Sequence, residues 1–142
     1  DKPEVVVQKL AELGVDRVIP YRAERSVVRW DDDKAERQSD RWRRVMREAL
    51  MQSRSVRLTE VIDVQPNLEA AIAGLSSDGL VIAEPGGGEL DESVSSVVIG
   101  PEGGFSDYEL SLITRQVALP GGVLRAETAA IVAGALLVDR HR

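Results

Sequence analysis

Residues 94–110 read Val-Ser-Ser-Val-Val-Ile-Gly-Pro-Glu-Gly-Gly-Phe-Ser-Asp-Tyr-Glu-Leu, and three local signals follow one another along them. Val94–Ile99 is a short apolar run of the kind that forms a buried parallel strand. Gly100-Pro101-Glu102-Gly103-Gly104 is a loop in which glycine frees the backbone to approach a ligand. Ser106-Asp107-Tyr108-Glu109 is a capping box, with Ser106 as the cap and Glu109 reaching back, and it opens a helix over Ser106–Arg115. Strand, glycine loop and capped helix make one β-loop-α unit.

The same grammar repeats on either side. Gly79–Ala83 reads as a strand running into Glu84-Pro85-Gly86-Gly87-Gly88, and Val117–Leu119 as a strand running into Pro120-Gly121-Gly122. Ala126–Val138 follows as a helix that is apolar on all faces and rich in small residues, a pattern for burial on several sides. Upstream, Asn67–Leu75 is a short helix. Glu4–Leu13 has helical spacing, with Val6, Leu10 and Leu13 on one face and Gly14 as the stop. Val15–Tyr21 reads as a strand closed by Pro20, and Asp31–Asp33 as an acidic turn. Lys34 to about Gln52 is a helix whose stripe is Trp42, Val45, Met46 and Ala49, with Arg41, Arg43, Arg44 and Arg47 off it. The alternation predicts an α/β domain with a mostly parallel sheet.

Composition narrows the chemistry. The chain has 142 residues, 43% apolar and 30% charged, with no cysteine and one histidine, His141. That is room for one globular domain. Thiolate nucleophiles, histidine metal clusters and Ser-His-Asp triads are excluded. The longest apolar run, Ala129–Val138, is about half a membrane span. The abrupt, charged, helix-like start, with no signal peptide before it, reads as a piece of a longer protein. Net charge is −6, yet residues 1–60 hold 14 Lys+Arg against 12 Asp+Glu, while residues 61–142 hold 4 against 12. Most of the early basic residues are arginines, the side chain that forks onto phosphate. Interleaved acids leave a solvated, salt-bridged helix surface equally open.

In an open α/β sheet, ligands bind beyond the carboxyl ends of the strands, so three glycine loops at one edge outline a pocket. The ligand is not a triphosphate. No Walker lysine motif or GxGxxG is present, no Lys follows Lys34, and Glu84 and Glu102 would repel phosphate. Those acids tolerate a cation or a ribose, which suits a sulfonium cofactor.

Four stretches carry a family resemblance. Val97–Leu110 followed by Leu119–Ala129, together with Val6–Ser26 and Arg47–Val61, resemble the SPOUT-class RNA methyltransferases. Within that class they are similar to the RsmE-like family, the 16S ribosomal RNA uracil-N3 methyltransferases. The resemblance covers almost the whole chain. It implies a trefoil-knotted α/β fold over residues 1–142 that binds S-adenosylmethionine in the knot, and a homodimer. It also implies a cytoplasmic enzyme of ribosome biogenesis acting on 16S rRNA or the small subunit, with no metal and no membrane. The family's N-terminal PUA-like RNA-binding domain is not among these residues.

By the same resemblance, cofactor contacts fall to Ala83, Glu84, Gly100, Glu102, Gly103, Leu119, Leu124 and Thr128. RNA contacts fall to Arg25, Gln52, Ser53 and Arg57. Methyl transfer to N3 needs a deprotonated base whose developing charge is stabilised; Arg125 is the candidate for the charge. Glu127 and Glu102 are the nearby carboxylates for the proton. A salt bridge across the dimer or a C-terminal cap is the other reading of Arg125, and help with starting the last helix is the other reading of Glu127. Two departures from the family pattern stand out. Leu119-Pro120-Gly121-Gly122 replaces a Leu-Gly pair before Ile-Leu-Arg, and Arg54-Ser55 stands where Gly-Arg is typical. A ribose 2′-O or other base methyltransferase, and a dimeric RNA-binding module without catalysis, remain the alternatives.

Overall fold

The computed structural model describes residues 3–26, 32–53, 59–121 and 124–141. Its first unit packs α1 (Pro3–Leu13) and α2 (Asp32–Ser53) against two short parallel strands, β1 (Arg17–Val18) and β2 (Glu60–Val61). Val7, Ala11, Trp42 and Val61 are its buried core. The one-sided placement of apolar residues on α1 and α2 drives this packing. Gly14, at φ 85°, ends α1 in the left-handed region that glycine favours. Asp32 and Asp33, expected in a turn, instead form the first turn of α2, where acids meet the positive end of the helix dipole. β2 was not expected from the sequence; Glu60 and Val61 have no periodic pattern and become a strand only by pairing with Arg17 and Val18.

The second unit is a three-stranded sheet in the order β4-β3-β5, with β3 (Leu80–Gly88) central between β4 (Ser96–Val98) and β5 (Gln116–Val117). Every strand pairing among the described residues is parallel. Alternation along β3 serves two faces. Leu80 and Ile82 join Leu68, Val98, Phe105 and Ile113 under α3 (Leu68–Ile72) and α4 (Asp107–Ser111). Val81 joins Leu90, Val94 and Val117 on the other face, packed by Leu136 and Leu137 of α5 (Ala126–Arg140). Helices therefore flank the sheet on both sides, as the α/β reading expected.

The central strand departs from expectation. It does not release a free loop after Ala83 but continues to Gly88, with a register shift: Ala83 and Gly88 both face Val117. Ala118 N–H donates to the Gly88 carbonyl at 2.8 Å. A side chain at Gly87 would stand 2.7 Å from the Val117 backbone, so this glycine is required by close approach of two chains.

Candidate active site at the carboxyl edge of the sheet

Ile82 pairs with both Val98 and Gln116, so one row of residues crosses the sheet. Parallel strands that are level at this row leave the same edge together, about 4.8 Å apart. Ala83 and Glu84 follow on β3, Ile99 and Gly100 on β4, and Ala118 and Leu119 on β5. Of the expected cofactor positions, Ala83, Glu84, Gly100 and Leu119 are thus brought to one edge by register. Leu119 packs on the core cluster of Val81 and Val117. The first segment is tucked against β5, while Gly86 and Gly104, at φ 86° and 77°, have open space where a side chain would point. Glu84 is half-buried and Glu102 exposed.

The N-terminal unit reaches this edge through residues 21–26. Tyr21 donates its phenol O–H to the Ile99 carbonyl at 3.0 Å. Burial, and secondarily the Glu109 carboxylate, push its pKa well above the ordinary tyrosine range. Gly103 lies so close to the neighbouring segment that a side chain there would stand 2.6 Å from the Arg25 carbonyl oxygen. Arg25 is therefore brought against the second loop, beside a residue expected to hold cofactor.

Glu109 fastens the two. The capping box is present: Ser106 Oγ accepts from Glu109 N–H at 3.1 Å, and Glu109 Oε1 accepts from Ser106 N–H at 3.0 Å. The second carboxylate oxygen accepts from Glu24 N–H at 3.3 Å, and Ser106 Oγ also donates to the Glu24 carboxylate. Glu109 is 2% exposed. Sequence reasoning found its capping role and missed this one, because the partner lies 85 residues away and no local spacing reports it.

The third loop turns at Gly121, φ 95°, where a side chain would stand 3.2 Å from Leu124 Cδ2. It leads into α5, whose first turn holds Arg125, Glu127 and Thr128. Arg125 is the N-cap, not a C-terminal cap; it is exposed and its side chain makes no capping bond. A guanidinium at the positive end of a helix gains nothing from the dipole, so helix stability does not account for it. Glu127 is half-buried and Thr128 exposed.

Gln52 and Ser53 close α2, but their side chains lie outside the described residues, as does Arg57 altogether. A cavity of about 950 Å³ lies elsewhere, between residues 14–22 and 95–99 under α5, and none of the expected site residues lines it. No group of three potential metal-binding side chains occurs among the described residues, and no described helix is long and apolar enough to cross a membrane.

This arrangement has solved counterparts. A protein from Legionella pneumophila, in complex with the bound cofactor S-adenosylmethionine, superposes with a TM-score of 0.85 at 31% identity, over 96% of this chain and 60% of its own. The ribosomal RNA small subunit methyltransferase E of Neisseria gonorrhoeae, bound to S-adenosylmethionine, gives 0.83 at 25% identity, over 96% and 60%. In sequence, the ribosomal RNA small subunit methyltransferase E of Bacillus subtilis is 34% identical over 94% of this chain and 59% of its own length. The chain thus spans about three-fifths of these relatives. The RNA methyltransferase domain model matches residues 1–138. Because that match runs unbroken through the tied N-terminal unit, the glycine edge and α5, the chain belongs to the RNA methyltransferase domain family.

Proposed function

We propose that this chain is the catalytic domain of an S-adenosylmethionine-dependent methyltransferase acting on N3 of a uridine in 16S rRNA of the small ribosomal subunit. One observation carries the reading: the strand ends and glycine turns gather at one edge in a chain whose solved relatives bind S-adenosylmethionine. The residues at that edge fit the cofactor. Glu84 and Glu102 offer carboxylates to ribose hydroxyls and an ammonium group, Ala83, Leu119 and Leu124 offer apolar contact, and the open backbone at Gly86 and Gly104 offers unhindered approach.

When bound, the cofactor supplies an electrophilic methyl group on sulfonium. The protein's work is to align the base and stabilise the charge that develops on it. Arg125 donates to a uracil oxygen as N3 loses its proton. Glu127 and Glu102 are the carboxylates from which the proton acceptor is drawn. Thr128, Gly100 and Gly103 hold cofactor, and Arg25, seated on Gly103, meets RNA beside it. Gln52, Ser53 and Arg57 extend the RNA contact.

The trefoil-knotted course and the homodimer belong to the same proposal. The family match over residues 1–138 supports the first. The apolar, half-buried residues Ile131, Val132 and Ala135 on α5 support a second copy covering them. A cytoplasmic site of action follows from the ribosomal substrate.

Calorimetric titration with S-adenosylmethionine tests the reading, run beside Arg125→Ala and a methylation assay on small-subunit rRNA. Binding near one per chain in both, with methylation reduced about 100-fold or more in the variant, is expected. Absence of cofactor binding overturns the reading.

A further inference from the structure

Helix α2 buries Ser39 and Trp42 and leaves its opposite side exposed. Arg37, Arg41 and Arg44 are spaced four and three apart, which stacks them along one side of a helix, and Arg47 follows one turn on. All four are exposed. From residue 37 to 47 the helix holds five arginines and one acid, Asp40. That acid sits on Arg43 Nη1 at 3.1 Å, and the other arm of Arg43 holds Asp63. The half-buried Arg43 thus takes up these two carboxylates, while Glu36 and Glu48 flank the row at its two ends. Among the described residues, Arg37, Arg44 and Arg47 form no ion pair.

Such a row is out of keeping with the rest of the chain, whose residues 61–142 hold 4 Lys+Arg against 12 Asp+Glu. Clustered cations repel one another unless an anion faces them. At a rise of about 1.5 Å per residue, Arg37 to Arg47 covers about 15 Å. One strand of a nucleic-acid duplex presents about four phosphates over that length. The side chains are guanidiniums, which fork onto phosphate oxygens. The row also runs toward Gln52 and Ser53 at the end of the same helix, two of the residues proposed above to contact RNA.

We propose that Arg37, Arg41, Arg44 and Arg47 form a ridge that docks the phosphate backbone of the RNA substrate, apart from the edge that holds the reacting base. This rests on the rRNA methyltransferase reading. The ridge supplies affinity without sequence preference, since phosphate contacts position a nucleic acid and do not read its bases.

The test is titration of the chain with a small-subunit rRNA transcript over a series of KCl concentrations. The parent is compared with the triple variant Arg37→Gln, Arg44→Gln, Arg47→Gln and with a charge-matched control, Lys9→Gln, Arg17→Gln, Arg140→Gln. Cofactor binding is measured in all three. The ridge variant is expected to bind RNA about tenfold or more weakly at low salt. Its plot of log affinity against log salt should be shallower by about two, at roughly 0.7 to 0.9 per lost phosphate contact. The control should keep most of the parent's affinity and slope, and cofactor binding should be equal throughout. Three outcomes overturn the ridge: an unchanged slope in the ridge variant, an equal loss in the control, or no RNA binding by the parent at low salt. An unchanged slope would leave the arginines to an acidic protein surface. Failure of the parent to bind cofactor overturns the methyltransferase reading instead, and the RNA titration does not depend on it.

Discussion

Glu109 accepts the backbone N–H of Glu24 across 85 residues of chain, with its other carboxylate oxygen committed to the N-terminus of its own helix. A capping residue thereby becomes the fastener between the N-terminal unit and the second glycine loop. Full burial makes the arrangement strong in one direction: removing the carboxylate leaves two backbone donors without an acceptor.

Glu109→Ala is therefore expected to destabilise the chain by about 2–3 kcal/mol in urea denaturation. Ser106→Ala, which removes the cap and leaves the carboxylate, should cost about 1 kcal/mol. Faster hydrogen exchange at the Glu24 amide in Glu109→Gln would report the loosened segment directly. Unchanged exchange there would contradict the fastening role.

Gly87 and Gly134 are both closely approached by neighbours, and they should behave differently. At Gly134 an added methyl group would stand 2.5 Å from Leu10 Cδ2 and 3.2 Å from Val15 Cγ2. Those are side-chain atoms that can shift, so Gly134→Ala should cost about 1–3 kcal/mol. At Gly87 the obstacle is the Val117 backbone at 2.7 Å, which cannot yield without breaking the β3–β5 pairing. Gly87→Ala should lower the thermal midpoint further than Gly134→Ala; the reverse order would be wrong for this packing.

Tyr21 gives an alkaline prediction. Its pKa is raised in the fold by burial and then by Glu109, so the folded state holds the phenol proton more tightly than the unfolded state. Its contribution to stability is complete below the ordinary tyrosine pKa of about 10 and is lost as pH rises above it. Denaturation midpoints followed upward through that range should fall more steeply in the parent than in Tyr21→Phe. Equal slopes would mean that the phenol titrates freely.

Asp91 gives the acid counterpart. Ser93, through its hydroxyl and its backbone N–H, and then Arg115, hold its pKa at about 2. A depressed carboxylate stabilises the fold above its ordinary pKa of about 3.9, and that contribution is lost as pH falls through the folded value. In an NMR titration, Ser93→Ala should move the Asp91 carboxyl upward toward the ordinary value. Both carboxylate and hydroxyl are exposed, so the effect should be seen in the titration and barely in global stability.

Much of this molecule was legible locally. The capping box of Ser106 and Glu109, the stop at Gly14, the short helix that follows Asn67 and the apolar character of α5 are set by residues within a turn of one another. Local chemistry suffices to read them, and the three glycine segments could be picked out for the same reason. The family resemblance in residues 97–110 and 119–129 likewise lay in contiguous residues.

What the tertiary structure alone decided involves partners far apart in the chain. β2 exists because Glu60 and Val61 meet Arg17 and Val18, and Gly87 is needed because Val117 runs beside it. Arg25 reaches Gly103 because Glu109 holds Glu24. Arg125 proved to occupy the N-cap position of α5 without a side-chain capping bond, where its charge works against the helix. A carboxylate satisfied by its own helix looks the same in sequence whether or not a second segment borrows its other oxygen; only folding brings the donor within reach.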